Sequence, residues 1–497
     1  MKLKAEIWLI FILIFALTLR LIFFTGINSS DDFLYVNFAH GIITGKINIT
    51  GCVSDNLRFL FTIPIAFFFW LIGINNYTAG LWTLICSLGM IVISYKIGET
   101  SFNKRVGLLS AFLLSFYPLN VIYGTRVAPD VPTVFFMGMS VYLFLKGLKT
   151  KGKTSGISYL CSGIAAGLSY LVKALGLLIF VFYGVYILFD VLKKRKIIWS
   201  YCLVFLGFLL IFLSESLFYY FVTGDFLFRV DKLVGTYSVT KDYMGKGIRP
   251  IDVLTFYPPA MLNLINYYGY SPNTKIFGFF FYFVLIASIY LLIKREKRSY
   301  FFILWLLSLF LYLQVGTRSL SQYLLFGKEI RFLSIISIPS VILMSVFLTY
   351  NKKIVKILLP VSILFLLSTS IYYIYFLANH LNYGLGECGC MNMNDIKEIS
   401  MFVKNHWGKP VYLDPYVYHP IRFYLEYKTD NLLRFTNSVQ NVNEIKDAYV
   451  ILNTSTNEQI PEFMQTIPPN WKLVRVITSP IVYLKRNYNP VIYYAPL

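Results

Sequence analysis

ALGLLIFVFYGVYILFDVLKKRK, residues 174–196, is an apolar run whose one charge before its end is Asp190, and it closes on Lys193-Lys194-Arg195-Lys196. Crossing the hydrocarbon of a bilayer takes an α-helix of roughly 20 apolar residues, so the run predicts a membrane span. Because cytoplasmic loops are enriched in Lys and Arg, the basic tetrad predicts which side the run ends on. Working outward, comparable runs lie at about 7–25, 79–95, 106–123, 131–146, 157–173, 197–221, 274–293, 300–315, 330–349 and 354–377. With 174–190 they make about eleven helices. Further basic clusters, Lys96/Lys104/Arg105, Lys146/Lys149/Lys151/Lys153, Lys294/Arg295/Lys297/Arg298 and Lys352/Lys353/Lys356, follow every second run, so all can be cytoplasmic together with the N-terminus. Counting Phe59 to Gly73 as a crossing would put Lys104 and Arg105 outside. That run is short and contains Pro64, and it reads as interfacial or re-entrant.

The composition agrees: 57% of residues are hydrophobic and only 14% charged, which points to the bilayer as solvent. A net charge of +21 raises the question of nucleic acid. The cations, however, sit in short clusters between apolar runs and not on one polar face, so anchoring beside anionic lipid explains them and no nucleic-acid partner is expected. Three of the six cysteines lie inside apolar runs and imply no disulfide framework; Cys388-Gly389-Cys390 stands alone, with no second pair or His cluster beside it. From about 378 the apolar density falls. Short alternating stretches at 410–414, 420–425 and 448–452 predict strands and helices of a small soluble α/β domain. The expected organisation is a polytopic helical module over 1–377 and an extracytoplasmic α/β domain over 378–497. On this topology the loops at about 26–57 and 223–273 face outward with that domain.

Several polar residues fall on the outward side. Asp31 and Asp32 follow the first span, and Phe33, Val36, Ala39/His40 and Ile43 then recur at helical spacing before Gly45, as in an interfacial amphipathic helix. Two adjacent carboxylates there suit a base for an acceptor hydroxyl, or a divalent cation; they equally suit caps of that helix, helped by Ser29 or Ser30. Asp130 lies between Pro129 and Pro132 at the start of an apolar run, four residues after Arg126. The prolines predict a rigid turn, holding Asp130 either as a functional acid or as a cap with a local ion pair. Lys173, Arg126 and the Lys328/Arg331 pair around Glu329 lie outside the cytoplasmic clusters. Cations near the bilayer are costly and usually partnered: a lipid-linked phosphate is one partner, ordinary headgroups reached by snorkelling another. Glu215 is an intramembrane acid that either lines the same cavity or pairs with one of these cations. Asp225 opens an outer loop rich in aromatic residues, including Tyr257-Pro258-Pro259 and Asn266-Tyr267-Tyr268, suited to membrane anchoring or to sugar stacking. His40, His380, His406 and His419 share no zinc-like spacing.

In this order the residues resemble the GT-C glycosyltransferase superfamily, in particular its protein O-mannosyltransferase and aminoarabinose transferase branch, over roughly 1–350. The resemblance rests on Asp31-Asp32 with Tyr35, Ala39 and Gly45; on Arg126 to Asp130; on the Gly-rich helix Gly163-Ile164-Ala165-Ala166-Gly167-Leu168 leading to Lys173; and on Lys328-Glu329-Ile330-Arg331-Phe332-Leu333 with Pro339. The His-Pro-Pro-type segment of the family's first loop is replaced by Asp55-Asn56-Leu57-Arg58. The resemblance implies a multi-pass cell-membrane enzyme that moves a monosaccharide, such as mannose, from a polyprenyl or dolichyl phosphate to a glycan, lipid or protein acceptor on the outer face. Asp31 or Asp32 would take the acceptor's proton, while Lys173, Lys328, Arg331 and Arg126 would hold the departing phosphate. Asp130 and Glu329 would orient those cations or bind a metal, and Asp31, Asp32 and Asp130 would be the carboxylates for a divalent cation (Mg or Mn) if one is bound. A flippase for lipid-linked sugars is the rival class, but no inverted repeat with broken helices is legible. A non-catalytic partner of such a transferase is the third.

Overall fold

The computed structural model describes residues 4–239, 255–262, 277–350, 352–382, 393–434, 444–452, 467–477 and 491–496, apart from residues 29, 52, 53, 55, 197, 318–322, 324, 326 and 414 within those ranges. Cys52, the Cys388–Cys390 pair, Ser29 and Asn266–Tyr268 lie outside the described residues. In chain order the helices are α1 (Ala5–Ile22), α2 (Ser30–Thr44), α3 (Phe59–Ile72), α4 (Asn76–Ser101), α5 (Lys104–Ser115), α6 (Pro118–Ile122), α7 (Asp130–Lys149), α8 (Gly152–Val172), α9 (Ile179–Lys194), α10 (Cys202–Thr223), α11 (Phe228–Val239), α12 (Tyr257–Met261), α13 (Phe280–Ile293), α14 (Tyr300–Val315), α15 (Ser337–Tyr350), α16 (Lys352–Asn382), α17 (Met393–Asn405) and α18 (Pro415–Tyr424). They divide between two compact units, one made of 1–24, 47–64 and 80–377, the other of 25–46, 65–79 and 378–497.

Among the described residues eight helices are long and apolar enough to cross a membrane: Ala5–Ile22, Asn76–Ser101, Asp130–Lys149, Gly152–Val172, Ala174–Lys194, Trp199–Thr223, Lys297–Val315 and Ile330–Tyr350. Shorter apolar helices cover Phe59–Ile72, Phe280–Ile293 and Leu359–Tyr375. The count of about eleven is therefore not confirmed among the described residues, and the run at 106–123 is not one helix. Proline at 118 has no N–H to give and disfavours helical backbone in the residue before it; Tyr117 accordingly takes φ −62°, ψ 122°, and the run splits into α5 and α6. The carbonyls stranded at the end of α5 find donors. Arg20 Nη1 donates to Ser115 O at 3.0 Å and Asn120 Nδ2 to Leu114 O at 3.4 Å. Arg20 Nε is held by Ser87 Oγ at 2.7 Å. A cation at a helix C-terminus also meets the negative end of its dipole.

The first unit is built around the Ile330–Tyr350 segment, 89% of whose apolar window is buried; a helix apolar on every side belongs in the middle of a bundle. Small residues let its neighbours close in. A Cβ on Gly163 of α8 would lie 1.9 Å from the carbonyl oxygen of Val204 in α10, and one on Gly207 would lie 2.2 Å from that of Leu160. The two backbones touch only because neither glycine has a side chain, the usual device of helices without a hydrophobic drive between them. Hydroxyls fasten α7, α8 and α9: Ser140 Oγ donates to Ser162 O at 2.8 Å, and Ser162 Oγ returns a bond to Ser140 O at 2.9 Å. Tyr183 OH sits 2.6 Å from Ser140 Oγ.

The second unit carries a five-stranded sheet of β1 (Val411–Leu413), β2 (Leu432–Arg434), β3 (Ala448–Leu452), β4 (Lys472–Val476) and β5 (Val491–Ala495), in the order β2-β1-β3-β5-β4. β1 pairs parallel with β2 and β3, as the crossover through α18 requires, whereas β5 runs antiparallel to β3 and β4. Alternation sends Val411, Leu413, Ile451 and Ile492 to one face, against Ile399 and Val403 of α17 and Val417 and Ile421 of α18. Ala448, Val450 and Leu452 pack on the other with Trp471. In the same unit α2 packs on α18.

Candidate functional site

In the first unit the Pro129 corner delivers Asp130 as the opening residue of α7, 1% exposed. Lys173 ends α8 with extended backbone (φ −158°, ψ 138°) before a tight 3-10 turn over Ala174–Leu178. These two interruptions of helix bring the side chains together: Lys173 Nζ donates to Asp130 Oδ1 at 2.7 Å. Arg331 Nε stands 4.0 Å from Asp130 Oδ2, and the same guanidinium is ion-paired with Glu329. Lys173 lies over the ring of Phe332, 4.6 Å from its centroid. Lys328 is next door. Its Nζ donates to Leu313 O at 2.6 Å and Gln314 O at 2.7 Å and sits 5.1 Å from the centroid of Tyr257, whose hydroxyl donates to Glu329 O at 3.2 Å. Burial holds the Lys328 ammonium down to about 8.

Arg58, buried at the entry of α3, acts electrostatically on both Asp130 and Lys173. Arg58, Lys173 and Arg331 bring three cations to the carboxylate of Asp130, with Glu329 on Arg331 and Lys328 beside them. Cations near the bilayer are costly and usually partnered. The cluster is therefore suited to an anion that arrives with its own charge, and two bidentate-capable guanidinia suit phosphate oxygens. The Asp130 carboxylate is paired with Lys173 and stands 4.0 Å from Arg331.

Other candidates lie apart from this cluster. Glu215 pairs with Arg229 at 2.6 Å, while Arg229 Nη2 donates to Tyr170 O at 2.9 Å; the pair pins α11 to the end of α8, immediately before Lys173. Asp225 Oδ1 accepts from Leu227 N at 2.9 Å and shapes the turn after α10. Arg126, fully buried, lies 5.2 Å from the centroid of the Tyr123 ring. In the second unit Asp31 is partly exposed in the first turn of α2. Asp32 is 1% exposed, and its Oδ2 accepts from Asn28 N at 2.7 Å. No group of three or more His, Cys, Asp or Glu that could hold a metal ion occurs among the described residues, and no chemical step is assigned to a metal. Arg58 and Arg229 were not singled out from the sequence. The signal for Arg58 was present, since it is the single cation between Lys46 and Lys96 and falls outside every cytoplasmic cluster.

The bundle has the GT-C fold of membrane glycosyltransferases, joined to a small C-terminal sheet domain. Residues 59–218, about a third of the chain, match the family model described as dolichyl-phosphate-mannose-protein mannosyltransferase. No curated protein sequence matches. Among solved structures, ArnT from Cupriavidus metallidurans bound to undecaprenyl phosphate is similar at a TM-score of 0.63 and 12% identity, over 99% of this chain and 98% of that one. The apo oligosaccharyltransferase of Archaeoglobus fulgidus is similar at 0.56 and 12%, over 92% and 70%. Its complex with Zn and sulfate gives 0.56 and 14%, over 90% and 68%.

Proposed function

We propose that this protein transfers a monosaccharide, a hexose such as mannose, from a polyprenyl or dolichyl phosphate carrier to a hydroxyl acceptor on the outer face of the membrane. The observation that carries the reading is the gathering of Arg58, Lys173 and Arg331 around the buried Asp130, with Glu329 paired to Arg331. The undecaprenyl phosphate held by the similar ArnT structure supports it, as does the mannosyltransferase family matched at 59–218. In the reaction the acceptor oxygen forms a bond to the anomeric carbon while the bond from that carbon to the carrier's phosphate oxygen breaks, its electron pair leaving with the phosphate. Inversion follows from a single displacement. Lys173, Arg331, Arg58 and Lys328 neutralise the negative charge that develops on the leaving phosphate, the term that preorganised cations serve best. Asp130 and Glu329 hold those cations in place. The acceptor's proton goes to Asp31 or Asp32, whose local surroundings differ enough for single mutants to separate them.

The test is transfer of labelled mannose from dolichyl phosphate mannose by the purified protein, with Asp31→Asn and Asp32→Asn alongside. At least one variant should fold normally and lose turnover; two active variants would remove the base from this assignment. Movement of the carrier across liposomes with no transfer would favour the flippase.

A further inference from the structure

Two neighbouring helices of the first unit carry the same spacing. On α1, Trp8, Phe11, Ile12 and Phe15 fall at i, i+3, i+4 and i+7, and on α5 Arg105, Leu108, Leu109 and Phe112 repeat the pattern, so each set forms one stripe along its helix. The helices run parallel. Glu6 meets Lys104 at 3.3 Å where both begin, and Arg20 reaches Ser115 O at 3.0 Å where α5 ends. The stripes therefore line up, and together with Leu359 of α16 they line a groove of about 400 Å³. That volume falls in the range of about 300–1,000 Å³ typical of sites for small ligands. The groove is graded along its length. Phe15 and Phe112 close one end, with ring centroids 5.8 Å apart, whereas the other end carries the half-exposed Trp8 and the exposed Arg105. Glu6, at that same end, is paired with Lys104, and no hydrogen bond or ion pair engages Arg105 among the described residues.

We propose that this groove binds an anionic phospholipid of the surrounding bilayer, with one acyl chain between the α1 and α5 stripes and the phosphate on Arg105. The grading decides the class of ligand: an apolar trough ended by an unengaged cation matches an amphiphile with an apolar tail and a negative head. An indole beside that cation suits headgroup depth, where Trp is enriched and basic side chains attract anionic lipid. The segment leading to Leu359 adds Lys352, Lys353 and Lys356 and no acid. The occupant is a phospholipid and not the sugar carrier, because Arg105 lies at the start of α5 while the chain reaches the Asp130 corner only beyond the far end of that helix. The bound chain fills the space between α1 and α5 and ties the two helices together. The lipid site goes beyond the transferase reading and is independent of it.

The experiment measures binding of dioleoyl phosphatidylglycerol and dioleoyl phosphatidylcholine to the full-length protein in detergent by native mass spectrometry. Arg105→Gln and Leu109→Trp are run alongside, with Lys96→Gln as control, an exposed cation paired with Glu99 and outside the groove. From the attraction of one basic side chain for anionic lipid, Arg105→Gln should raise the Kd for phosphatidylglycerol about fivefold and leave that for phosphatidylcholine unchanged. Leu109→Trp fills the trough and should weaken both lipids, while Lys96→Gln should change neither. Equal affinity of the wild type for the two lipids, or an unchanged phosphatidylglycerol Kd in a folded Arg105→Gln protein, would overturn the site. An equal loss in Lys96→Gln would overturn it too, by reducing the effect to general surface charge. Dolichyl phosphate binding tighter than phosphatidylglycerol in the wild type, and weakened in Arg105→Gln, would overturn it in favour of the carrier.

Discussion

Arg331 sits between two carboxylates, 4.0 Å from Asp130 and paired with Glu329, which positions its guanidinium. A hydrogen bond to a charged group contributes about 1.5–3 kcal/mol, so Arg331→Gln is expected to raise the donor KM between about tenfold and a hundredfold, with the acceptor KM unchanged in steady-state kinetics. Asp130→Asn should act differently, because it leaves Lys173 a buried cation without its carboxylate. Removing one partner of a buried pair costs about 3–5 kcal/mol, and the thermal midpoint in detergent should fall along with the activity. Lys328 supplies a pH dependence. With its ammonium held near 8, it is charged below that pH and neutral above it, so donor affinity should weaken as pH rises through about 8. Lys328→Arg should abolish that limb, since a guanidinium stays charged throughout; an unchanged pH profile in the variant would separate Lys328 from the phosphate. At this scale the sequence made Asp130, Lys173, Glu329 and Arg331 visible as charges in apolar surroundings. It could not show that Glu215 answers to Arg229, because a pairing across 14 residues and a helix end depends on where the outer loop folds back.

The close approach of α8 and α10 through Gly163 and Gly207 carries a prediction at the scale of elements. Gly163→Val would drive a methyl-bearing carbon into the Val204 carbonyl, and overpacking of this kind costs about 1–3 kcal/mol. Lowered thermal stability is expected, together with reduced turnover, because α8 ends at Lys173. The Gly-rich helix was legible by its composition and its terminal lysine, whereas its partner was not, since spacing within one helix says nothing about which neighbour fills the gap. The division at 106–123 shows the opposite failure. Hydropathy alone joins α5 and α6, while the information that separates them is local, in Pro118, and distant, in the Arg20 and Asn120 side chains that cap the stranded carbonyls.

For the whole molecule, we propose from the alternation of basic clusters that Lys151, Lys194 and Lys297 face the cytoplasm and the C-terminal domain the exterior. Single cysteines at Lys151 and Lys297, in an otherwise cysteine-free protein, should be labelled by an impermeant maleimide only from the cytoplasmic side, and one at Lys428 only from outside. Fold class was readable because bilayer thickness dictates helix length. The tail's sheet was readable only as short apolar stretches; its strand order, and the docking of α2 on α18, depend on contacts between segments far apart in the chain. The central claim is that the cationic cluster around the buried Asp130 serves a lipid-linked phosphate sugar. Its most direct test is transfer of labelled mannose from dolichyl phosphate mannose by the purified protein and by Lys173→Gln. Transfer by the wild type, and a donor KM raised at least about tenfold in a folded Lys173→Gln protein, is the predicted result. Full transfer with an unchanged donor KM in that variant would contradict it.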